Sequence, residues 1–289
     1  MLQNIEPHEM HNEFRKQNPK MKDYLIVFNG SQTLLKKVGD NFSIPTFEDF
    51  EQSGVAEALR IPCHYLISID DSAYFLADDF LNVASTEALK STLKDYEFAS
   101  NRAFRSLVRC EDRLGGATSA HIARWESLNK FCGRCGEAMS RGETERSMVC
   151  PACKNTVYPK ISPVVIVAVH DGSRLLMARN LDNPNKKLMF LISGFVEIGE
   201  SLEQACAREV LEEAGVRIKN VKYFGSQPWP FSESLISGYT AELDGEASLK
   251  IQTSEIEKAC WVERKDIPPY DTSVSISCAM IESFRTQKS

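Results

Sequence analysis

The chain has 289 residues, of which 43% are hydrophobic and 26% are charged, and its formal net charge is −6. This length favours about two domains, and the composition excludes a disordered or fibrous chain. The acidic charge argues against a broad sequence-independent nucleic-acid surface, which needs a basic face. The chain has no apolar run of about 18 residues and its N-terminus is too polar for a signal peptide, so we expect a cytoplasmic protein without a membrane partner.

The first 125 or so residues alternate short apolar runs with turn residues. Three of these runs, at 24–29, 63–69 and 73–77, predict strands, and stretches near 86–110 and 117–130 predict helices. We therefore predict a small α+β domain over residues 1–125. It contains no catalytic motif that we can identify, and the histidines of the chain are not spaced as metal ligands.

Four of the nine cysteines form two CxxC pairs. Cys132 and Cys135 make the first pair, and Cys150 and Cys153 make the second after fourteen intervening residues. This spacing predicts a tetrahedral four-cysteine zinc ribbon over residues 126–158, with the zinc in a closed, structural site. Disulfides are the alternative, but an odd number of cysteines and no secretion signal argue against them. Nucleic-acid binding by the ribbon also stays open.

Residues 159–289 predict a mixed sheet flanked by helices. The continuous β-branched run at 163–169 is typical of a strand buried on both faces, and Asp171-Gly172 predicts a hairpin turn into a strand at 174–179. Further strands are expected near 221–226, 235–243 and 259–263, followed by a closing helix near 273–286.

The segment 194–216, GFVEIGESLEQACAREVLEEAGV, predicts one helix over 201–214. Ser201 and Gln204 make a capping box at its start, and Gly215 supplies the stop. At about 100° per residue, three glutamates fall on one arc and a packing face is expected on the other. The glutamates are Glu209, Glu212 and Glu213, and the expected packing face consists of Ala207, Val210, Leu211 and Ala214.

Three carboxylates on one arc repel each other unless cations screen them. Their hard oxygens suit Mg²⁺ or Mn²⁺, which would neutralise developing phosphate charge and lower the pKa of an attacking water. We expect Arg208, one turn before Glu212, to pair with it. A solvated acidic helix is the alternative, and the fixed spacing of Gly194 and Glu200 upstream argues against it.

This array of Gly194, Glu200 and the REVLEEAG helix resembles the signature of the Nudix hydrolases, which cleave pyrophosphate links. SQPWPFSES at 226–234, the four-cysteine ribbon and Tyr158-Pro159-Lys160 are similar to the NADH pyrophosphatase branch of that superfamily. The resemblance covers about residues 117–285. It implies an α+β chain that ends in a Nudix α/β/α sandwich, a homodimer, and cleavage of NADH or NAD⁺ to nicotinamide mononucleotide and AMP. It also implies that removal of an NAD cap from RNA is open to the same site.

The resemblance further implies roles for individual residues. Glu209, Glu213, Glu255 and the carbonyl of Ser193 correspond to Mg²⁺ or Mn²⁺ ligands, and Glu212 is a further metal ligand or base in the catalytic set. Phe195 and Tyr158 correspond to aromatics that enclose the nicotinamide, with Tyr158 supplied by the dimer partner. The other substrate contacts implied are Glu145, Gln227, Pro228, Trp229, Pro230, Phe231, Ser232, Glu233, Ser234 and Ser277.

The residue types in the 226–234 array, which we expect to form a loop, suit a dinucleotide. Gln227 offers one amide, and Trp229 and Phe231 offer two aromatic faces for flat rings. Ser232 and Lys160 depart from the branch pattern, where proline and arginine are usual, and lysine cannot make a bidentate phosphate contact.

We therefore predict a metal-dependent NAD(H) diphosphatase. Removal of NAD caps from RNA as the main duty is one alternative. A non-catalytic NAD-sensing or nucleic-acid-binding module is another, and the presence of all the glutamates argues against it.

Overall fold

The computed structural model describes residues 1–52, 61–78, 94–181, 188–273 and 275–287. They form two compact units, Asn4–Lys160 and Ile161–Ser289, the latter together with Met1–Gln3. The three-part division at residues 125 and 158 stays a prediction. No helix in the described ranges is long and apolar enough to cross a bilayer.

The described residues of the unit 4–160 form small sheets and two α-helices. Its first sheet has the order β1-β6-β7-β2, formed by Met10–His11, Cys63–Ile69, Ser72–Ala77 and Tyr24–Ile26. In the second, the central β4 (Gln32–Val38) pairs with β3 (Phe28–Asn29), β5 (Asn41–Ser43) and β8 (Tyr96–Ser100). The helices are α1 (Phe47–Gln52) and α2 (Cys110–Leu128), with a 3-10 turn at Asn101–Ser106. The ribbon sheet has the order β11 (Thr156–Val157), β10 (Met148–Val149), β9 (Ser140–Arg141).

Three of the five elements predicted for this unit are confirmed. The strands at 63–69 and 73–77 are β6 and β7, and the helix at 117–130 is α2, which begins earlier, at Cys110. The strand at 24–29 is broken at Val27 into β2 and β3.

The helix expected near 86–110 is wrong over 94–109. Residues 86–93 lie outside the described residues, and the chain after them forms β8 and a 3-10 turn. The physical reason is pairing: β8 lies antiparallel to β4, with Phe98 opposite Leu34. Neither strand is marked by its own short sequence, since each depends on a partner about 65 residues away.

The unit of residues 161–289 contains a mixed sheet, as predicted. Its strands are β12 (Ser162–Asp171), β13 (Arg174–Asn180), β14 (Ile192–Phe195), β15 (Arg217–Trp229), β16 (Ser234–Asp244) and β17 (Ile256–Glu263). Their order is β15-β16-β12-β13-β17, with β14 antiparallel to β12 and β16 parallel to it. The α-helices are α3 (Leu202–Ala214) and α4 (Ile276–Thr286), and 3-10 turns span Pro230–Ser232 and Arg264–Asp266.

The central strand β12 is buried on both faces, which confirms the interpretation of its continuous apolar run. Val165 and Val167 pack in one core with residues of α3, whereas Ile166 and Ala168 pack in another with residues of α4. Alternate residues of one strand thus serve two helical layers, which is the α/β/α arrangement.

The helix that carries the acidic residues forms as predicted. Ser201 Oγ accepts from the Gln204 N–H at 3.2 Å, and the Gln204 side chain accepts from the Ser201 N–H at 2.8 Å. Gly215 ends the helix with a left-handed φ of +71°. Local sequence chemistry sets both ends.

The expected packing face of α3 is wrong at two positions. Ala207 and Leu211 are exposed, Leu211 by 51%, and Glu209 and Glu213 are buried. The buried residues of α3 are Ala205, Cys206, Glu209, Val210, Glu213 and Ala214. The helix is therefore rotated relative to the expected orientation, and two carboxylates lie on its buried side instead of opposite it.

Candidate active site

Two carboxylates are buried on α3 in the candidate site. Glu209 is 9% exposed and Glu213 is 5% exposed. Burial, together with the charges of Glu209 and Glu255, raises the pKa of Glu213 to about 8. Burial also raises the pKa of Glu209, against the opposing effect of Arg208. Buried anions that lack full compensation are costly, so this pair favours a bound cation.

Arg208 links the acidic residues. It contacts Glu200 through Nε at 2.6 Å, Glu209 through Nη1 at 2.7 Å and Glu212 through Nη1 at 3.1 Å. Its Nη2 also donates to the Phe195 carbonyl at 2.9 Å. The predicted pair with Glu212 is confirmed, while the bonds to Glu200 and Phe195 were not predicted. Because one guanidinium contacts all of these groups, Arg208 fixes Glu200 and the end of β14 against α3.

Glu255 reaches the site through the turn before β17. The Gln252 N–H donates to the Glu213 carbonyl at 3.1 Å, and the Lys250 N–H donates to the Ala214 carbonyl at 2.9 Å. These bonds hold the turn on the last residues of α3. The charge of Glu255 consequently acts on both buried glutamates.

The donor chemistry fits Mg²⁺ or Mn²⁺, because every acidic group is a hard oxygen donor. Within the described ranges, however, the four ribbon cysteines are the one group of three or more candidate ligands whose atoms converge within 4.8 Å. The carboxylates do not converge this closely, and Glu209 and Glu212 contact Arg208 instead. Glu209, Glu213 and Glu255 stay the predicted ligands of a divalent cation.

Gly194 leaves the space that the Glu209 side chain occupies. A Cβ on Gly194 would lie 2.0 Å from Glu209 Cδ and 2.1 Å from its Oε1. Ser193, whose carbonyl is predicted to bind metal, precedes it on β14 opposite Ile166 of β12. The absence of a side chain at Gly194 thus leaves room for the Glu209 carboxylate beside α3.

Replacing Gly194 by alanine should displace the Glu209 carboxylate. We expect kcat to fall by about 10²-fold, as for an ångström-scale misplacement, with little loss of stability because a flexible side chain gives way. Gly225→Ala is the control, since its Cβ would meet only Ile276 Cδ1 at 4.0 Å. Steady-state kinetics and urea unfolding of both variants test this. Wild-type kcat in Gly194→Ala would contradict it.

The array at 226–234 is not a free loop. β15 continues to Trp229, a 3-10 turn spans Pro230–Ser232, and β16 begins at Ser234. The loop expectation is wrong because hairpin pairing extends to Trp229 opposite Ser234. Trp229 and Phe231 meet edge to face with ring centroids 5.0 Å apart. The short turn therefore fixes the two aromatic rings relative to each other.

The other implied members of this array lie within the same hairpin. Ser232 and Ser234 share a hydroxyl contact of 3.0 Å, and Glu233 adopts a left-handed φ of +55°. Pro228 pairs with Leu235, and Pro230 is buried at the start of the 3-10 turn.

The Gln227 side chain is hydrogen-bonded to the N-terminus of α4. Its side chain is fully buried, and Oε1 accepts from the Ile276 N–H at 2.7 Å. Ser277, the next residue of α4, is 7% exposed. Gln227 Nε2 and Ser277 Oγ have no hydrogen-bond partner in the described structure. Substrate contact by these two residues stays a prediction.

The ribbon brings its four thiols together, as predicted. Sγ–Sγ distances are 3.6 Å for Cys132 and Cys153, and 3.5 Å both for Cys135 and Cys150 and for Cys135 and Cys153. Tetrahedral Zn–S bonds of about 2.3 Å require separations of about 3.8 Å, so the thiols fit zinc. The Arg134 N–H, which lies 3.4 Å from Cys132 Sγ, lowers the pKa of Cys132 to about 6 and so favours a thiolate ligand.

Two predicted substrate residues meet on the ribbon. The Tyr158 hydroxyl donates to Glu145 Oε1 at 2.9 Å. Tyr158 is 56% exposed, and Phe195, at the end of β14 in the other unit, is 55% exposed. Each therefore offers an open aromatic face.

Comparison with known proteins agrees with these features. The NUDIX domain profile matches residues 160–277, and the NADH pyrophosphatase zinc ribbon domain profile matches residues 127–158. The chain is 39% identical over 161 residues to the NAD-capped RNA hydrolase NudC of Salmonella typhi, covering 56% of this chain and 62% of that protein. The protein of the same name from Salmonella agona is 38% identical over the same extent. A crystallised NUDIX hydrolase from Nitrosomonas europaea aligns over 54% of this chain and 90% of its own, with 22% identity and a TM-score of 0.47.

Proposed function

Since the chain is a Nudix protein with an NADH pyrophosphatase zinc ribbon, we propose that it hydrolyses the pyrophosphate bond of NADH and NAD⁺. The products would be the reduced or oxidised nicotinamide mononucleotide and AMP. The observation that carries the proposal is the buried Glu209 and Glu213 pair beside Arg208. The matched relatives extend beyond the shared region, which covers 62% of their length.

Each glutamate has a distinct part in the proposed reaction. Glu209, Glu213 and Glu255, with the Ser193 carbonyl, would hold Mg²⁺ or Mn²⁺. When bound, such an ion neutralises phosphate charge and lowers the pKa of water. Glu212 has a side chain that is 52% exposed, and Arg208 orients it. We propose that it accepts a proton from the attacking water.

The substrate would be recognised by aromatic faces. We assign the nicotinamide to Phe195 and Tyr158, with Tyr158 contributed by the second subunit of a cytoplasmic homodimer. The Trp229 and Phe231 pair would stack against a flat ring. Glu145 and the remainder of the 226–234 array would contact the ribose and phosphate groups.

A second candidate is removal of NAD from the 5′ end of RNA. It is favoured by the names of the relatives at 38–39% identity, which are NAD-capped RNA hydrolases. The same carboxylates would serve both substrates, so only relative kcat/KM can rank them. A non-catalytic NAD-binding module is the third candidate.

Product analysis distinguishes the three candidates. The protein is incubated with NADH, ADP-ribose or NAD-capped RNA, with Mg²⁺ or Mn²⁺ in ¹⁸O-water, and products are identified by mass spectrometry. We expect reduced nicotinamide mononucleotide and AMP from NADH, one of them carrying ¹⁸O. A higher kcat/KM for capped RNA would favour the second candidate. NAD binding without turnover under either metal would overturn the enzymatic proposal.

A further inference from the structure

The tip of the ribbon hairpin carries Glu145 between two arginines that face the rest of its unit. β9 ends at Arg141 and pairs with β10, which begins at Met148. The Gly142 N–H closes the tip on the Ser147 carbonyl at 2.8 Å. A Cβ on Gly142 would lie 2.3 Å from Ser147 Oγ, so the turn is tightly closed. The position of Glu145 therefore depends on the contacts that fix the residues on either side of it.

Arg141 fixes one side through a forked contact with two carboxylates. It bonds both oxygens of Asp78, at 3.0 and 2.6 Å, and meets Glu126 Oε2 through Nε and Nη2 at 3.0 and 2.9 Å. The Glu126 side chain is 11% exposed and that of Asp78 is 25% exposed. Planar bidentate pairs of this kind are directional as well as strong.

His64 completes this cluster from β6. Its Nε2 lies 3.0 Å from Glu126 Oε1, and its Nδ1 lies 3.3 Å from Asp78 Oδ1. Burial lowers the pKa of His64, but the two acids outweigh this effect and raise the pKa overall. The carboxylates of Asp78 and Glu126 thus face the side chains of Arg141 and His64. Removing Arg141 would leave the buried charge of Glu126 uncompensated.

Arg146 fixes the other side through backbone carbonyls. It donates to the Asn12 carbonyl at 2.9 Å and to the Leu66 carbonyl. Leu66 is the extra residue of a β-bulge, because Tyr65 pairs with Phe75 and Ile67 pairs with Tyr74 on β7. The bulge disrupts the β6–β7 pairing at Leu66, and the Leu66 carbonyl there accepts from Arg146.

A third contact at the tip is weak by comparison. Lys16 pairs with Glu143, and their side chains are 63% and 85% exposed. Solvated pairs of this kind contribute little to stability or position. The two arginines each have one buried partner, Glu126 for Arg141 and Leu66 for Arg146, and therefore dominate the placement of the tip.

We propose that Arg141 and Arg146 are positioning residues for the substrate, through which the sheet and helix of residues 4–128 set the placement of Glu145 and Tyr158. The proposal rests on the proposed function and gives the N-terminal part of the chain a role in substrate affinity. Neither arginine contacts the reacting atoms. Their effect passes through the hydrogen-bonded Glu145 and Tyr158 pair.

The test compares NADH kinetics of the wild-type protein with Arg146→Met, Arg146→Lys and Arg141→Lys. We expect KM to rise about tenfold and kcat to change less than about twofold, because the carboxylates of α3 are untouched. Lys16→Met is the matched control and should leave both constants unchanged. Zinc content and melting temperature establish that each variant is folded. If Arg146→Met does not fold, Arg146→Lys takes its place in the comparison.

A double variant separates positioning from a general structural effect. If Arg146 acts through Glu145, adding Arg146→Met to Glu145→Gln should raise KM no further. Independent effects that multiply, or an unchanged KM in the folded arginine variants, would overturn the proposal while the proposed function stands. Absence of NADH cleavage by the wild-type protein would instead overturn the proposed function, and the positioning role with it.

Discussion

Replacing Glu213 by glutamine is expected to lower kcat for NADH by about 10³-fold or more, with the fold retained. Glu213 is 5% exposed at the end of α3, and glutamine has nearly the same size. The substitution removes one negative charge from the proposed metal ligands, and a loss of several kcal/mol of charge stabilisation corresponds to this factor. Steady-state kinetics at saturating Mg²⁺ and Mn²⁺ measure it.

Glu203→Gln is the matched control for this substitution. Glu203 is an exposed residue of the first turn of the same helix, so it reports the effect of removing a helical charge away from the site. Its kcat should stay within about twofold of wild type, as for surface substitutions in general. Comparable losses in both variants, or full kcat in Glu213→Gln, would remove Glu213 from the metal site.

The same substitution should change how stability depends on pH. Burial raises the pKa of Glu213 from 4.5 to about 8, so the folded metal-free protein keeps a proton that the unfolded chain has lost. The contribution of Glu213 to the free energy of unfolding is greatest below its pKa in the unfolded chain. This contribution is lost as pH rises through the pKa of Glu213 in the folded protein. As pH rises from about 5 to 8, the free energy of unfolding should therefore fall less in metal-free Glu213→Gln than in the metal-free wild type. Urea unfolding at a series of pH values measures this.

The sequence predicts best those parts whose signals are local. The capping box at Ser201, the stop at Gly215 and the four-cysteine spacing each lie within a short segment, and all three appear in the structure. The β12 run is likewise recognisable because both of its faces are apolar. In each case one stretch of chain contains both the residue and its physical reason.

The parts that sequence reasoning missed depend on distant partners. α3 turns Glu209 and Glu213 towards its buried side, whereas hydrophobic periodicity alone predicts that charged residues face outwards. Gln227 bonds the start of α4, 49 residues away. The sequence offers one indication of the bond between Arg208 and Glu200, which is their eight-residue spacing within the motif. The bond forms only because the chain folds back before α3.

Loss of zinc should unfold the ribbon around its thiols, because its own strands are too short to form a core there. Its three strands have two residues each, and its few buried residues include two of the thiol ligands, Cys132 and Cys150. Structural zinc sites of this type contribute about 10–16 kcal/mol to folding. Cys150→Ser is therefore expected to lose its one zinc per chain and to expose the hairpin. Metal analysis and hydrogen exchange of the 142–147 amides measure both effects.

The catalytic consequence of zinc loss should fall mainly on KM. The ribbon carries Glu145 and Tyr158, whereas the carboxylates lie on α3, which packs in a core formed by residues of its own unit. We expect KM for NADH to rise by about tenfold or more in Cys150→Ser, with a smaller change in kcat. Cys260→Ser, at a half-buried cysteine outside the ribbon, should keep its zinc and its KM. A zinc-free protein with wild-type KM but much reduced kcat would contradict a structural zinc, since a closed four-cysteine site has no position at which to bind the reacting groups.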